Sequence, residues 1–554
     1  MKSFNYSLLH IILLICFITY IKGNKKNLET KRILIIILPG AHSHNFVFQN
    51  LTDYTISHED KYNYEYHIIS HKIDSEIWEK KIKSNNTSYK LYTYGDISSY
   101  KETFEKGIED MNNNPSFGLS GFNNAIILNY RHFLESDILT QLRKIQNEYR
   151  KKYNADYYHM IATDVPNFIH KLLYQELKIK LCLYLQPALI PQIYYTNFEM
   201  NTAYMPTIGS FYSDEMTFIE RLSNSLTQFF TKIIFYIFRM YQSQTINSYS
   251  DEYNFDIDNS HFVPDAIHLI QYPLGLTFPF SIPPNFILLG SITSKPAQEI
   301  KDEKLNNFLN SHKKNIYWSK GTIMKEIFEL NDIIEIFKYL KKKDIGIVLS
   351  IRRELIKDNE IKLLPENVYV SRWLDQNNIL GDKRINLFVT HGGFNSVLES
   401  IYHGKPMVVM SIGLDHINVA SFIKKRNLGE VFHKKILINK EVIINSINNV
   451  LNKKEYHENV QKMGKMLKDL KNPREEFKYW IDFGFNNGYQ SLEIPSYKYK
   501  YSWIIVNGYD VALVWVLIII VIIIIIKKII NCIHDCLCGK CENKHKKNKH
   551  FKFD

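Results

Sequence analysis

One short stretch of this 554-residue chain combines residue types and spacings that suit chemistry. In FVTHGGFNSVLES, residues 388–400, a strand from Leu387 to Thr390 stops at His391, Gly392 and Gly393, and a helix is expected from about Asn395 to Tyr402. Two glycines let the backbone pass close to a ligand. Free N–H groups at the helix start, with Asn395 and Ser396, make a seat for anionic oxygens such as those of a phosphate. His391 adds a donor at the strand end. Glu399 lies about one turn into the helix, on the side of Asn395 and Ser396, where it can accept from sugar hydroxyls. A strand–turn–helix with no ligand has the same outline. The turn is not a Walker loop, since no lysine follows the glycines, and it lacks a full GxGxxG.

The elements that would carry such a turn are legible around it. KRILIIILPG reads as a buried parallel strand, Arg32 to Leu38, ended by Pro39 and Gly40. Through Ile190, short apolar segments such as NNAIILNY, YYHMIATD and IKLCLYL are read as strands alternating with polar helical stretches, the rhythm of βα units on a parallel sheet. From about Asn201 to Gln244 the pattern turns helical. Its aromatic part, FFTKIIFYIFRMY, is too short and too charged to span a membrane, and reads either as a core helix or as one leaning on a membrane surface. The proline-rich passage Pro264 to Pro296 is taken as an interdomain linker. A second βα series follows, in NIYWSKGT, DIGIVLSI, VYVSRWL, INLFVTHGG and KPMVVMSI. Two doubly wound domains facing a cleft would bind ligand at the carboxyl ends of their strands. No internal repeat is visible.

The net charge of +12 is concentrated in the C-terminal tail and in short lysine runs such as Lys341 to Lys343, a pattern of solvated surface with no aromatic-interleaved face, so no nucleic-acid partner is expected. Val511 to Ile526, with the apolar residues from Trp503 onward, reaches the roughly 20 residues a transmembrane helix needs. Asn507 and Asp510 precede it; Lys527 and Lys528 follow and place the tail in the cytoplasm. Residues 1–23, with an apolar run from Leu8 to Ile21, read as a secretory signal peptide. The body would then be luminal or extracellular, with glycan acceptors at Asn50 and at Asn85 and Asn86. Of six cysteines, Cys16 is in the signal and Cys182 alone is in the body, which leaves no internal disulfide there. Cys532, Cys536, Cys538 and Cys541 crowd the tail, where acylation or plain thiols compete with a zinc site.

The segment RWLDQNNILGDKRINLFVTHGGFNSVLESIYHGKPMVVMSIGLDHINVASFIKKRNLG resembles the signature of family 1 UDP-glycosyltransferases, specifically the membrane-bound UDP-glucuronosyltransferase branch. NTAYMP with SDEMTFIERLSN, IPPNFILLGSI, WSKGT, PREEFKYWIDF and the closing membrane anchor also match, in order. The resemblance implies an α/β GT-B fold: two Rossmann-like doubly wound domains facing a cleft, plus one C-terminal transmembrane helix. The implied division is signal peptide 1–23, acceptor-binding domain 24–280, UDP-sugar-binding domain with a closing helix 281–500, transmembrane helix 503–526 and basic cytosolic tail 527–554. Trp373 is then expected to stack on uracil, with Gln376 beside the ribose. His391, Gly393, Asn395 and Ser396 would hold the diphosphate, with Ser319 and Thr322 near it, and Glu399 would bond the ribose. Asp415 and His416 occupy the dipeptide that reads the sugar.

UDP leaves well once its charge is stabilised, so the demanding step is activating an acceptor hydroxyl. Histidine titrates near neutral pH and suits that task when a carboxylate orients it. In the family this base follows the first strand, where GAHSHN holds His42 and His44; the family's serine-then-histidine order selects His44. Asp164, at the end of the strand in YYHMIATDVPNF, resembles its partner, although alone it could equally cap the next helix. Direct displacement with inversion is implied, with no cofactor or metal. The implied partners are UDP-glucuronate, a small lipophilic acceptor chosen by first-domain loops including residues 45–86 and the helix near Phe229 to Tyr241, and membrane lipid; a homo-oligomer is left open. The implied location is the endoplasmic reticulum membrane, single-pass type I, although FKFD carries Lys552 but His550 where a dilysine signal needs a second lysine.

The chain departs from the family pattern at Asp375, where proline is usual, at His416 in place of glutamine, at Ser411 in place of proline, and at Asn418, one place early with Val419 in its slot. These changes lie at the sugar end of the donor site. They keep two alternatives open, another UDP-hexose such as UDP-glucose as donor, or a membrane protein that binds nucleotide without catalysis.

Overall fold

Runs of β-branched residues buried on both faces build two parallel sheets. The computed structural model describes residues 28–537 apart from 41, 85–87, 114–118, 166, 187–200, 250–265, 277, 280–281, 320–329, 352–357, 412–414, 434–438, 493–501 and 507. The first sheet comprises β1 (Glu29–Ile36), β2 (Tyr62–His71), β3 (Tyr89–Tyr94), β4 (Met160–Thr163), β5 (Leu181–Gln186), β6 (Ala266–Ile270) and β7 (Phe286–Leu288), in the order β3-β2-β1-β4-β5-β6-β7. The second comprises β8 (Lys314–Ser319), β9 (Ile345–Ser350), β10 (Val368–Ser371), β11 (Ile385–Thr390), β12 (Met407–Ser411) and β13 (Gly429–His433), ordered β10-β9-β8-β11-β12-β13. Successive residues of β1 serve opposite cores: Leu34 and Ile36 enter one apolar cluster, Ile33 and Ile35 the other. That is why the strand reads as an unbroken apolar run rather than an alternation.

Each order reverses once, between β1 and β4 and between β8 and β11. Crossovers leave these two strand pairs in opposite directions, so a crevice opens at their carboxyl ends. Gly40 and His42 lie just past β1, Asp164 just past β4, Ser319 at the end of β8 and His391 just past β11. The topology thus delivers the residues of interest in two neighbouring pairs.

Several sequence expectations are corrected. NNAIILNY is not a strand but part of the helix Leu119–Leu134. Asn123, Ala125, Ile127, Asn129, Tyr130 and Phe133 are buried on several sides of it, and the segment joins neither sheet. Residues 201–217 are turns and irregular chain, and the helix that follows is Phe218–Tyr249, 32 residues long. The first sheet extends past residue 280, because Phe286–Leu288 pairs with β6 despite the prolines around it. The closing helix, Pro473–Asn487, packs Phe477 and Ile481 into the first domain's core beside Val47, Phe48 and Leu51. Its Lys478 reaches Asp60 at 2.5 Å and Asp482 at 2.8 Å, while Tyr64 donates to Asp482.

Cys182 is buried and free. The chain divides into a compact unit ending at Leu492 and a second unit from Glu493. In the second unit, Trp503–Val506 is a separate short helix; Gly508 turns at φ 66°, and a new helix runs Tyr509–Leu537. Its segment Tyr509–His534 is long and apolar enough to cross a membrane. The expected signal peptide, the glycan acceptors Asn85 and Asn86, Thr322, Cys538, Cys541 and most of the basic tail lie outside the described residues.

Candidate active site

The helix His42–Ser57 starts just past β1 and carries two histidines in its first turn. His44 Nδ1 lies 2.6 Å from Asp164 Oδ2, with Asp164 almost fully buried and the imidazole one-fifth exposed. The same carboxylate accepts from the backbone N–H groups of Leu38, at 3.1 and 3.2 Å, and Val165, at 2.8 Å. These bonds fix its position and leave an acceptor lone pair for imidazole. The carboxylate assigns the proton to Nδ1, so Nε2 is the basic nitrogen. Asp164 is not the cap of the following helix, Phe168–Glu176. Asn167 fills that role, in a capping box with His170.

His42 also has a carboxylate partner. Its Nδ1 is 3.1 Å from Asp74 Oδ1, and Asp74 Oδ2 accepts from Gly40 N–H at 2.7 Å. Proximity to a carboxylate does not separate the two histidines, but hydrogen bonding does: His44 bonds Asp164, whereas Asp74 Oδ1 has no hydrogen-bond partner among the described residues. Their positions do differ: Asp164 stands at the switch between β1 and β4, whereas Asp74 follows β2 on the far side of β1.

Opposite, β11 ends at Thr390, in register with Ser319 of β8. The backbone turns at Gly392 with φ 90°, a left-handed conformation that favours glycine. At Gly393 a side chain would stand 2.5 Å from His391 Nε2, so any larger residue there must displace the ring. Gly393 begins the helix Phe394–Tyr402 with no side-chain cap. Among the described residues no side-chain oxygen caps its first N–H groups, which leaves the arrangement an anion seat requires. The His391 ring sits edge-on to His416 at 5.1 Å, and burial beside that second imidazole pushes its pKa down to about 3. It is a neutral hydrogen-bonding ring at physiological pH. Its Nδ1 is buried with no partner among the described residues, which makes it a group awaiting one.

Gln376 ties the rest of the donor face together. Its Nε2 donates to Ser396 Oγ at 3.0 Å and to Glu399 Oε2 at 2.8 Å. Glu399 is buried, and desolvation raises its pKa despite that bond. Trp373 is two-thirds exposed, its ring 5.7 Å from Phe46, two residues past His44. An exposed indole of this kind is a platform for a base. Asp415 and His416 open the helix Asp415–Lys425. The structure thus brings together His44 with Asp164, and Gln376 with Ser396 and Glu399; it sets His391 against Gly393 and His416.

The departures have local accounts. Asp375 accepts from Asn378 N–H at 3.2 Å and caps the helix Gln376–Gly381. The Ser411 hydroxyl bonds the Phe432 carbonyl of β13 at 3.1 Å. Asn418 joins the domains: its carboxamide accepts from Gly209 N–H at 2.9 Å and donates to the carbonyls of Thr207, at 3.0 Å, and Ser210, at 3.3 Å. Ser421 donates to Tyr212 O at 2.6 Å, and Lys425 pairs with Glu215. Residues 207–215 thus form a strap over the helix that begins at Asp415.

Sequence reasoning missed Gln271. It lies just past β6 and donates to Asn395 Oδ1 across the cleft, while its own Oε1 is buried without a partner among the described residues. Next to it, Tyr272 stacks on Phe394 at 4.5 Å. The signal was present, a polar residue ending a parallel strand in HLIQYP, as at Asp164.

The profile of the family described as UDP-glucoronosyl and UDP-glucosyl transferase matches residues 67–546. The chain is 27% identical to UDP-glucuronosyltransferase 2B23 of Macaca fascicularis over 287 residues, 51% of this chain and 52% of that protein. It is 25% identical to 2-hydroxyacylsphingosine 1-beta-galactosyltransferase of Homo sapiens over 326 residues, 57% of each. The chain spans about half the length of the curated relatives it matches. Among solved structures it is similar to Os79 of O. sativa in complex with U2F and trichothecene, with TM-score 0.54, 13% identity and coverage of 81% of this chain and 99% of that one. A UDP-glucosyltransferase from Polygonum tinctorium gives TM-score 0.54 at 12% identity, covering 82% and 98%. These likenesses show the fold, which is GT-B.

Proposed function

Because the chain belongs to the UDP-glucoronosyl and UDP-glucosyl transferase family, and is a glycosyltransferase on that ground, we propose that it transfers glucuronate from UDP-glucuronate to a hydroxyl of a small lipophilic acceptor, inverting the anomeric carbon. The observation that carries this reading is the 2.6 Å contact of His44 with Asp164 at the crevice of the first sheet. His44 Nε2 takes the acceptor proton as the acceptor oxygen bonds the anomeric carbon. The bond from that carbon to the diphosphate oxygen breaks, and UDP leaves with the electron pair. Asp164, held by two backbone N–H groups, stabilises the imidazolium that forms.

The diphosphate would rest on the helix start at Gly393, with His391, Asn395, Ser396 and Ser319 around it and Thr322 following. These are hydrogen-bond donors, and Glu399 is already engaged by Gln376. They suit charge neutralisation by dipoles, and the reading needs no metal. Uracil would stack on Trp373, the ribose would lie between Gln376 and Glu399, and Asp415 and His416 would meet the sugar. The apolar helix Tyr509–His534 fits a membrane span. With Lys527 and Lys528 closing its unbroken apolar run at Ile526, the reading puts the folded body in the lumen of the endoplasmic reticulum as a single-pass type I protein.

A second reading, transfer from UDP-glucose or another UDP-hexose, draws on His416, packed on the diphosphate turn where the family has glutamine, and on the relative named as a galactosyltransferase. Permeabilised membranes holding the full chain, given labelled UDP-glucuronate or UDP-glucose with phenols and hydroxylated lipids, decide between them. Glucuronide formation abolished by His44→Ala is expected. Transfer only from UDP-glucose favours the second reading, and UDP binding without transfer would replace both by a non-enzymatic role.

A further inference from the structure

The helix Phe218–Tyr249 is amphipathic the wrong way round for a helix on a soluble protein. Its protein-facing side carries Asn224, Gln228, Gln242 and Ser243, all buried. Asn224 accepts from Thr207 N–H at 2.7 Å and donates to the carbonyls of Thr202 and Met205, at 2.9 and 2.8 Å; Gln242 donates to Asn123. Its outer side carries Phe218, Leu222, Phe229, Ile233, Ile237 and Tyr241, from 40% to 66% exposed. At 100° per residue, the exposed large apolar side chains fill one continuous sector of roughly 160°. From Phe218 to Tyr241 that sector runs about 36 Å. So long a contiguous apolar surface marks an interaction site.

Lys232 is exposed beside the apolar sector, whereas Arg221 donates to the Met216 carbonyl at 2.7 Å and Arg239 Nε is buried without a partner among the described residues; Glu220 is the one acid of the helix. An exposed lysine beside an aromatic and aliphatic face matches the interfacial region of a bilayer, where acyl chains receive the rings and phosphate headgroups receive the cation. The same chain carries a helix long and apolar enough to span a bilayer. A lipid surface is therefore the apolar phase this helix meets at high local concentration.

We propose that Phe218–Tyr241 lies in the headgroup–acyl boundary of the bilayer, as a second membrane contact that does not span it. The observation is independent of the donor sugar and of the catalytic reading. It also replaces the core-helix reading of this segment by the surface one.

Full-length protein reconstituted into phosphatidylcholine vesicles with and without phosphatidylserine tests it. A benzophenone amino acid replaces Phe229 or Ile233 in turn and, as a control, Leu363, an exposed residue of the second domain. Irradiation is expected to yield lipid adducts from positions 229 and 233 and none above background from 363. Lys232→Glu is expected to lower the adduct yield from position 229 about fivefold in phosphatidylserine vesicles, and little in phosphatidylcholine alone. Adducts to a second copy of the chain at the stripe positions would overturn the proposal in favour of self-association. Absence of lipid adducts from a protein that still melts cooperatively would overturn it outright.

Discussion

At the switch point of the first sheet the carboxylate and imidazole are paired within the protein. Asp164 is held by two backbone N–H groups and itself holds His44. At the crevice of the second sheet the corresponding groups are left open. The helix at Gly393 has no side-chain cap, and His391 Nδ1 is buried without a partner among the described residues. Among the described residues Asn395 is engaged across the cleft, by Gln271. The two halves have the same topology and opposite bookkeeping. A base must be oriented before substrate arrives, so its partners are built in. An anion seat must be completed by the anion, so its partners are withheld.

The sharpest way to break that comparison is His44→Ala. On the proposed reading this removes the base and leaves the second crevice untouched, so turnover is expected to fall by about 10²–10⁴-fold while UDP still binds, as calorimetry would show. A parallel loss of UDP binding would mean that the halves are not separable. Gly393→Ala acts on the other half. A methyl 2.5 Å from the His391 ring must displace it, and losing charge-assisted bonds to the diphosphate is expected to raise the donor KM roughly tenfold or more. Turnover at saturating donor should change less.

Asn418→Ala probes the join between the halves. Its carboxamide makes three bonds to residues 207–210, and their loss is expected to raise the donor KM about fivefold, equivalent to roughly 1 kcal/mol. A fall in kcat at unchanged KM would instead assign the strap to the chemical step. Asp375→Ala should do least: removing one helix cap is expected to cost about 1 kcal/mol of stability, read as a lower Tm with donor KM nearly unchanged. A large KM effect would make Asp375 part of the nucleotide site.

Much of this was legible in the chain. The strand that ends at Thr390, the helix after Gly393 and the apolar C-terminal helix are local consequences of composition and period. Phe394–Tyr402 begins within one residue of its expected start. Reading NNAIILNY as a strand failed because eight apolar-rich residues cannot distinguish period 2 from period 3.6; the segment folds as a helix outside both sheets. Gln271 was not visible because its role depends on Asn395, far away in sequence and next to it in space. The helix Phe218–Tyr249 reads two ways from sequence, since an apolar face seeks a core and a bilayer alike.

The sequence by itself determined which segments become strands and helices at the two crevices, because dihedral preference, period and turn chemistry act over a few residues. It also determined that a glycine pair and a helix start follow β11. Only the tertiary structure decided which groups meet. It set Asp164 against His44 rather than at a helix cap, gave His42 its own carboxylate in Asp74, turned the polar face of Phe218–Tyr249 inward, and used Asn418 to strap one domain to the other. Those outcomes depend on strand order, which places residues distant in the chain on neighbouring strand ends, and no local preference encodes that order.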